Sequence, residues 1–86
     1  MPASASEIAD ALEAFIREHF QVGADDPEFT RQVHLFDYGY VDSVGATEVI
    51  AFVESTYGVA IPDEQLFSEE ATTIEGFAGI IAALTS

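Results

Sequence analysis

Apolar residues return every three or four positions in three separate stretches of the chain, and each stretch is framed by residues that favour helix ends. Ile8, Leu12, Phe15, Ile16 and Phe20 fall on one helical face, with Asp10, Glu13, Arg17 and Glu18 turned away. Ser4-Ala5-Ser6-Glu7 ahead of them reads as a capping box, the Ser4 hydroxyl and the Glu7 carboxylate each taking one N–H that a first turn leaves unpaired. This helix is expected to stop near Val22-Gly23, where glycine accepts the left-handed conformation that closes helices. A second stripe, Ala46, Val49, Ile50, Val53 and Tyr57, begins at Asp42 or Ser43 and ends at Gly58, leaving Glu48 and Glu54 off the apolar face. A third, Ile74, Phe77, Ile81 and Leu84, is capped by Thr72 or Thr73 and has Glu75 near its start, where a carboxylate meets the positive end of the helix dipole. Gly76 and Gly79 lower its intrinsic propensity by about 1 kcal/mol each relative to Ala, so it is expected to depend on packing.

The segments between the stripes have a different character. From Ala24 to Asp42 no period is sustained and Asp25, Asp26, Pro27 and Gly39 punctuate the run, yet Phe29, Val33, Leu35 and Phe36 are too apolar to stand idle in solvent. The pattern predicts a long loop pinned by its apolar side chains, with Pro27 to Val33 as the one candidate for a further helical turn. Gly58 to Pro62 is expected to be extended, because proline disfavours helix at the residue before it, and Asp63 to Phe67 has room for one short turn. The fold expected is all-α: a single-domain bundle of three to four helices with a long loop between helices one and two.

Composition narrows what such a bundle can do. With 86 residues there is enough chain for one core but not for a deep catalytic cleft within it. A hydrophobic content of 49%, including seven Phe and three Tyr, is sufficient to offset ordering entropy, so the chain is expected to fold. Two basic residues against sixteen acidic ones give a formal charge of −14, which repels phosphate backbones and anionic lipid and makes a basic protein surface the complementary partner. Nucleic acid and membranes are therefore not expected partners. The absence of cysteine excludes disulfides and thiolate metal sites, so any thiol chemistry has to arrive on a cofactor. No apolar run is long enough to span a bilayer and no segment has the make-up of a secretory leader, from which cytoplasmic residence is expected.

The candidate chemistry lies in Leu35-Phe36-Asp37-Tyr38-Gly39-Tyr40-Val41-Asp42-Ser43-Val44-Gly45, which sets an Asp-Ser pair where the loop runs into helix two. Free N–H groups and the dipole make a helix start electrostatically suited to a phosphodiester on the Ser43 hydroxyl. These residues resemble the Asp-Ser-Leu attachment motif of acyl and peptidyl carrier proteins. The resemblance continues through Glu48-Val49-Ile50, Val53-Glu54, Tyr57 to Glu64 and Thr72-Thr73-Ile74, covering most of the chain from Leu35 onward. It implies that Ser43 carries a 4′-phosphopantetheine arm whose thiol holds an acyl or aminoacyl group as a thioester, with Asp42 completing the motif. Expected partners are then a phosphopantetheinyl transferase, a loading ligase or acyltransferase, and downstream synthases, all acting on a freestanding, monomeric, non-catalytic carrier. In the family, residues after the serine, the acidic face of helix two and the start of helix three contact partners, which points to Val44, Glu48 and Ile61. Val44 stands where the family usually has Leu or Met, and Gly45 where fatty-acid-synthase carriers tend to have Asp. The phrase Leu-Phe-x-x-Gly-x-x-Asp-Ser-x-Gly looks more like discrete carriers of the D-alanine-loading type and of specialised-metabolite pathways.

Blander or different readings exist for the same residues. Asp42 or Ser43 serves equally as an ordinary N-cap, Glu48 as a solvated charge and Ile61 as core. Ser43 with His34 and Asp37 could be read as a hydrolytic triad, but a nucleophilic serine needs a scaffold that excludes water, and Gly-x-Ser-x-Gly is absent. His19 and His34 lack the spacing of a zinc site, so no metal is expected. The competing function is an acidic helical interaction module without a cofactor.

Overall fold

The computed structural model describes residues 4–85. Helix α1 spans Ala5–His19, α2 Ser43–Tyr57, α3 Asp63–Leu66 and α4 Ile74–Thr85, with a 3-10 turn over Glu69–Thr72. This is the all-α bundle expected, with the long loop between α1 and α2. None of these helices is long and apolar enough to cross a membrane.

Residues on the three stripes meet in one core. Ile8, Leu12 and Ile16 of α1, Val49 and Val53 of α2, and Ile74, Phe77 and Ile81 of α4 are all buried together. α1 packs most extensively on α4. Its approach to α2 is made instead by rings: Phe15 stacks on Phe52 at 4.3 Å and on His19 at 4.9 Å. The His19 ring then reaches Glu48, so both rungs joining α1 to α2 come from one side of each helix.

Helix ends account for two differences from the sequence pattern and settle one choice that it left open. α1 stops earlier than Gly23: Phe20 is its C-cap, Gln21 takes the left-handed position at φ 55°, and Val22 N–H bonds back to Arg17 O at 2.9 Å. That is a closing turn of Schellman type with glutamine where glycine is usual, and Arg17 Nη1 supports it by donating to Gly23 O at 2.8 Å. The capping box is half formed. The Ser4 hydroxyl accepts from Glu7 N–H at 3.1 Å, but the Glu7 carboxylate accepts from that same hydroxyl rather than from a backbone donor. At α4 the choice between two threonines falls on Thr73, which accepts from Gly76 N–H at 3.0 Å, while Thr72 closes the 3-10 turn by donating to Glu69 O.

The segment 24–42 contains turns and no helix, so Pro27 to Val33 does not form one. Phe29, Val33, Leu35 and Val41 are buried and pin it, whereas Phe36, expected among them, is 41% exposed. Backbone bonds fix the loop to the 3-10 turn and the first turn of α4, from Leu35 N–H to Thr72 O and from Glu75 N–H to Arg31 O, each at 2.9 Å. Both arginines serve the same purpose. Arg31 pairs with Asp10 and Glu13 of α1, and Arg17 lies 4.6 Å from the centroid of the buried Phe29 ring.

Candidate functional site

Asp42 and Ser43 occupy the positions that their chemistry suits. Asp42 is the N-cap of α2, with extended backbone, and its Oδ1 accepts from Gly45 N–H at 2.7 Å. Ser43 is the first helical residue, exposed, and no hydrogen bond ties up its hydroxyl within the described residues. No carboxylate lies in the first turn of α2, so the dipole end and the free N–H groups there are not neutralised by a side chain beyond the cap. A hydroxyl presented to solvent over such a terminus can accept a phosphodiester without a buried charge being created.

Two concavities flank this helix start. On one side Ser43 and Thr47 border an apolar cavity of about 480 Å³, with Phe36 and Phe67 at its edges and Leu12, Val49 and Phe77 among its walls. On the other, a smaller one of about 330 Å³ lies between Asp42, Val44, Glu48, His19 and Tyr40. Gly45 sits between cap and core for a steric reason. A Cβ there would stand 2.5 Å from Cε1 of Phe20 and 3.1 Å from Oδ1 of Asp42, so the bare backbone lets the Phe20 ring lie against the first turn of α2. The sequence pattern marks this glycine only by its place in the motif, because the ring that requires it comes from the end of α1.

The remaining candidates separate. Val44 is 70% exposed beside Ser43, and Glu48 is exposed one turn further along, its carboxylate engaged by His19. Ile61 is buried at 6% exposure and belongs to the core. Glu54, which the helical pattern leaves off the apolar face, is half-buried and accepts from Ile61 N–H at 3.1 Å, so it fastens the segment after α2 and is not a loose surface charge. His34 and Asp37 do meet, Asp37 N–H donating to His34 Nδ1 at 3.1 Å, but among the described residues no base hydrogen-bonds Ser43, and a triad is not assembled. The two histidines take separate carboxylate partners, His19 with Glu48 and His34 with Asp37.

Phe67, 87% exposed at the end of α3, escaped the sequence reading. Its only signal is a large aromatic residue set directly before the polar run Ser68-Glu69-Glu70.

Compared with known protein families, residues 10–81 match the one described as PP-binding, phosphopantetheine attachment site. No curated protein and no solved structure gives a match.

Proposed function

Since the chain belongs to the family with a phosphopantetheine attachment site, we propose that it tethers acyl or aminoacyl groups through an arm on Ser43, for a polyketide, non-ribosomal peptide or related pathway. The 4′-phosphopantetheine group supplies the thiol that this cysteine-free chain lacks. Carriers of this kind are non-catalytic, and the chemistry is done on them by partner enzymes.

The observation that carries the assignment to Ser43 is its free, exposed hydroxyl on the first turn of a helix whose cap, Asp42, is already fixed on Gly45. Asp42 organises the turn, Ser43 Oγ takes the phosphodiester, and the unpaired N–H groups offset its charge. Val44 and Glu48 flank the arm on the exposed face of α2 and are proposed to meet the partner. Tethering raises the local concentration of cargo for a docked enzyme without requiring tight binding. The cofactor-free interaction module explains neither the family match nor the free serine.

Incubation with a phosphopantetheinyl transferase and coenzyme A is expected to add one arm, seen as one increment in intact mass and mapped to the peptide containing Ser43. Ser43→Ala should keep the parent helix content and melting temperature and gain no mass. An arm mapped elsewhere, or none with several transferases, would refute the assignment.

A further inference from the structure

Apolar surface left in water is concentrated around Ser43. Among the described residues the exposed large hydrophobics are Phe36, Tyr38, Val44 and Phe67. Phe36 and Phe67 edge the cavity that Ser43 borders, one arriving from the long loop and the other from the end of α3. Val44 follows Ser43 directly, and Tyr38 precedes Gly39 on the second concavity. Single exposed hydrophobics need no explanation, but several gathered at one place and rimmed by polar groups mark an interaction surface.

The rim is anionic. Asp37, Asp42, Asp63, Glu64, Glu69 and Glu70 are exposed on the same segments that bring these rings. The chain has only two basic residues, and both are held elsewhere: Arg17 by Glu13 and Gly23 O, Arg31 by Asp10 and Glu13. Neither lines a concavity beside Ser43.

We propose that Phe36 and Phe67 are the anchor residues by which the arm-installing transferase docks, an apolar side chain of that enzyme seating between them while its arginines and lysines face the carboxylate rim. This deepens the carrier reading and rests on it. Charge complementarity selects the occupant: a second copy of the chain would set the same carboxylates against themselves, whereas a basic enzyme surface gains from them. Cargo folded into the cavity would use its walls but gives no role to a ring that stands 87% in water. Exposed aromatics at the centre of a contact are the residue types that most often dominate binding.

The test compares the full chain with Phe67→Ser, Phe36→Ser and the distant surface control Ala14→Ser as substrates for a phosphopantetheinyl transferase. Phe67→Ser is expected to lower kcat/KM about tenfold or more, mainly through KM, while still reaching complete modification at long times. Helix content and melting temperature should match the parent, because little of that ring is buried. The loss should persist in high salt, which screens charges but not apolar contact. Equal kcat/KM for all four proteins overturns the proposal. So does a concentration-dependent dimer of the parent that Phe67→Ser disperses, which would give this face to a second copy. Unchanged transfer with faster hydrolysis of a loaded thioester in the Phe variants also overturns it, giving the cavity to cargo. A parent that gains no arm from any transferase defeats the carrier reading itself, and is told apart because no rates exist to compare.

Discussion

Tyr40 illustrates how much of the long loop depends on single side chains. Its hydroxyl donates to Asp26 Oδ2 at 3.0 Å, and its ring meets Phe29 edge-on at 5.0 Å, so one residue ties the stretch before α2 to the stretch after α1. Desolvation and the bond to Asp26 both disfavour the phenolate and hold its pKa above the ordinary value of 10.0. Tyr57 is raised for a similar reason, burial first and then the nearby Glu7 carboxylate. A group whose pKa is higher folded than unfolded contributes stability that is complete below about 10 and is lost as pH climbs through the raised value. With no lysine or cysteine in the sequence, tyrosines are the side chains that titrate in that alkaline window. The melting temperature is therefore expected to fall from about pH 10 upward, in step with tyrosinate absorbance. Tyr40→Phe should melt lower at neutral pH, having lost the Asp26 bond, yet show a shallower alkaline decline. An unchanged slope would remove Tyr40 from the explanation.

Among the elements, α4 contains a contrast that its sequence conceals. Gly76 and Gly79 look alike as helix-weakening residues, but a Cβ at Gly76 would collide with the Glu70 backbone carbonyl, whereas one at Gly79 would meet nothing within 4 Å. The first lets the 3-10 turn lie against the opening turn of α4, and that turn holds Leu35 through Thr72 O. Gly76→Ala is expected to destabilise by roughly 1–3 kcal/mol, since a collision with backbone cannot be relieved by turning a side chain. Gly79→Ala should stabilise by about 0.5–1 kcal/mol, through helix propensity and a less mobile unfolded chain. Denaturant unfolding of the two variants measures both values, and shifts of the same sign would contradict the geometry.

Across the whole molecule, charge opposes compactness. Sixteen carboxylates face two arginines, which leaves the formal charge at −14, and among the described residues the pairs to Arg17 and Arg31 are the ones that set a permanent positive charge against them. These pairs are partly exposed, and such pairs typically give about 0–1 kcal/mol, so salt costs little by weakening them. Salt also screens the general repulsion, over about 10 Å at 0.1 M, and that gain should prevail. The melting temperature is expected to rise between low and moderate ionic strength, each 1 kcal/mol corresponding to roughly 4–8 °C for a domain this small. A flat or falling curve would show that the pairs outweigh the repulsion.

What the sequence determined was whatever neighbouring residues decide among themselves. The helical stripes, Asp42 as a cap, Gly58 as the left-handed close of α2 at φ 66°, and the Asp-Ser pair at a helix start all depend on local spacing and dipoles, and they were legible. So was the sign of the net charge, because it needs only a count. Tertiary structure decided the contacts between residues distant in sequence. Ile61 was left open between partner surface and core, and packing puts it in the core. Glu54 looked like an outward charge until the chain after α2 turned back and gave it the Ile61 N–H. Gln21 could take a left-handed turn that local propensity assigns to glycine because the Arg17 bond to Gly23 O and the Val22 N–H bond to Arg17 O hold it there. Phe36 and Phe67 came to edge one cavity only when the loop and the end of α3 met beside Ser43, since a hydrophobic side chain's burial is fixed by what packs over it, and the chain leaves Phe36 partly and Phe67 almost wholly uncovered.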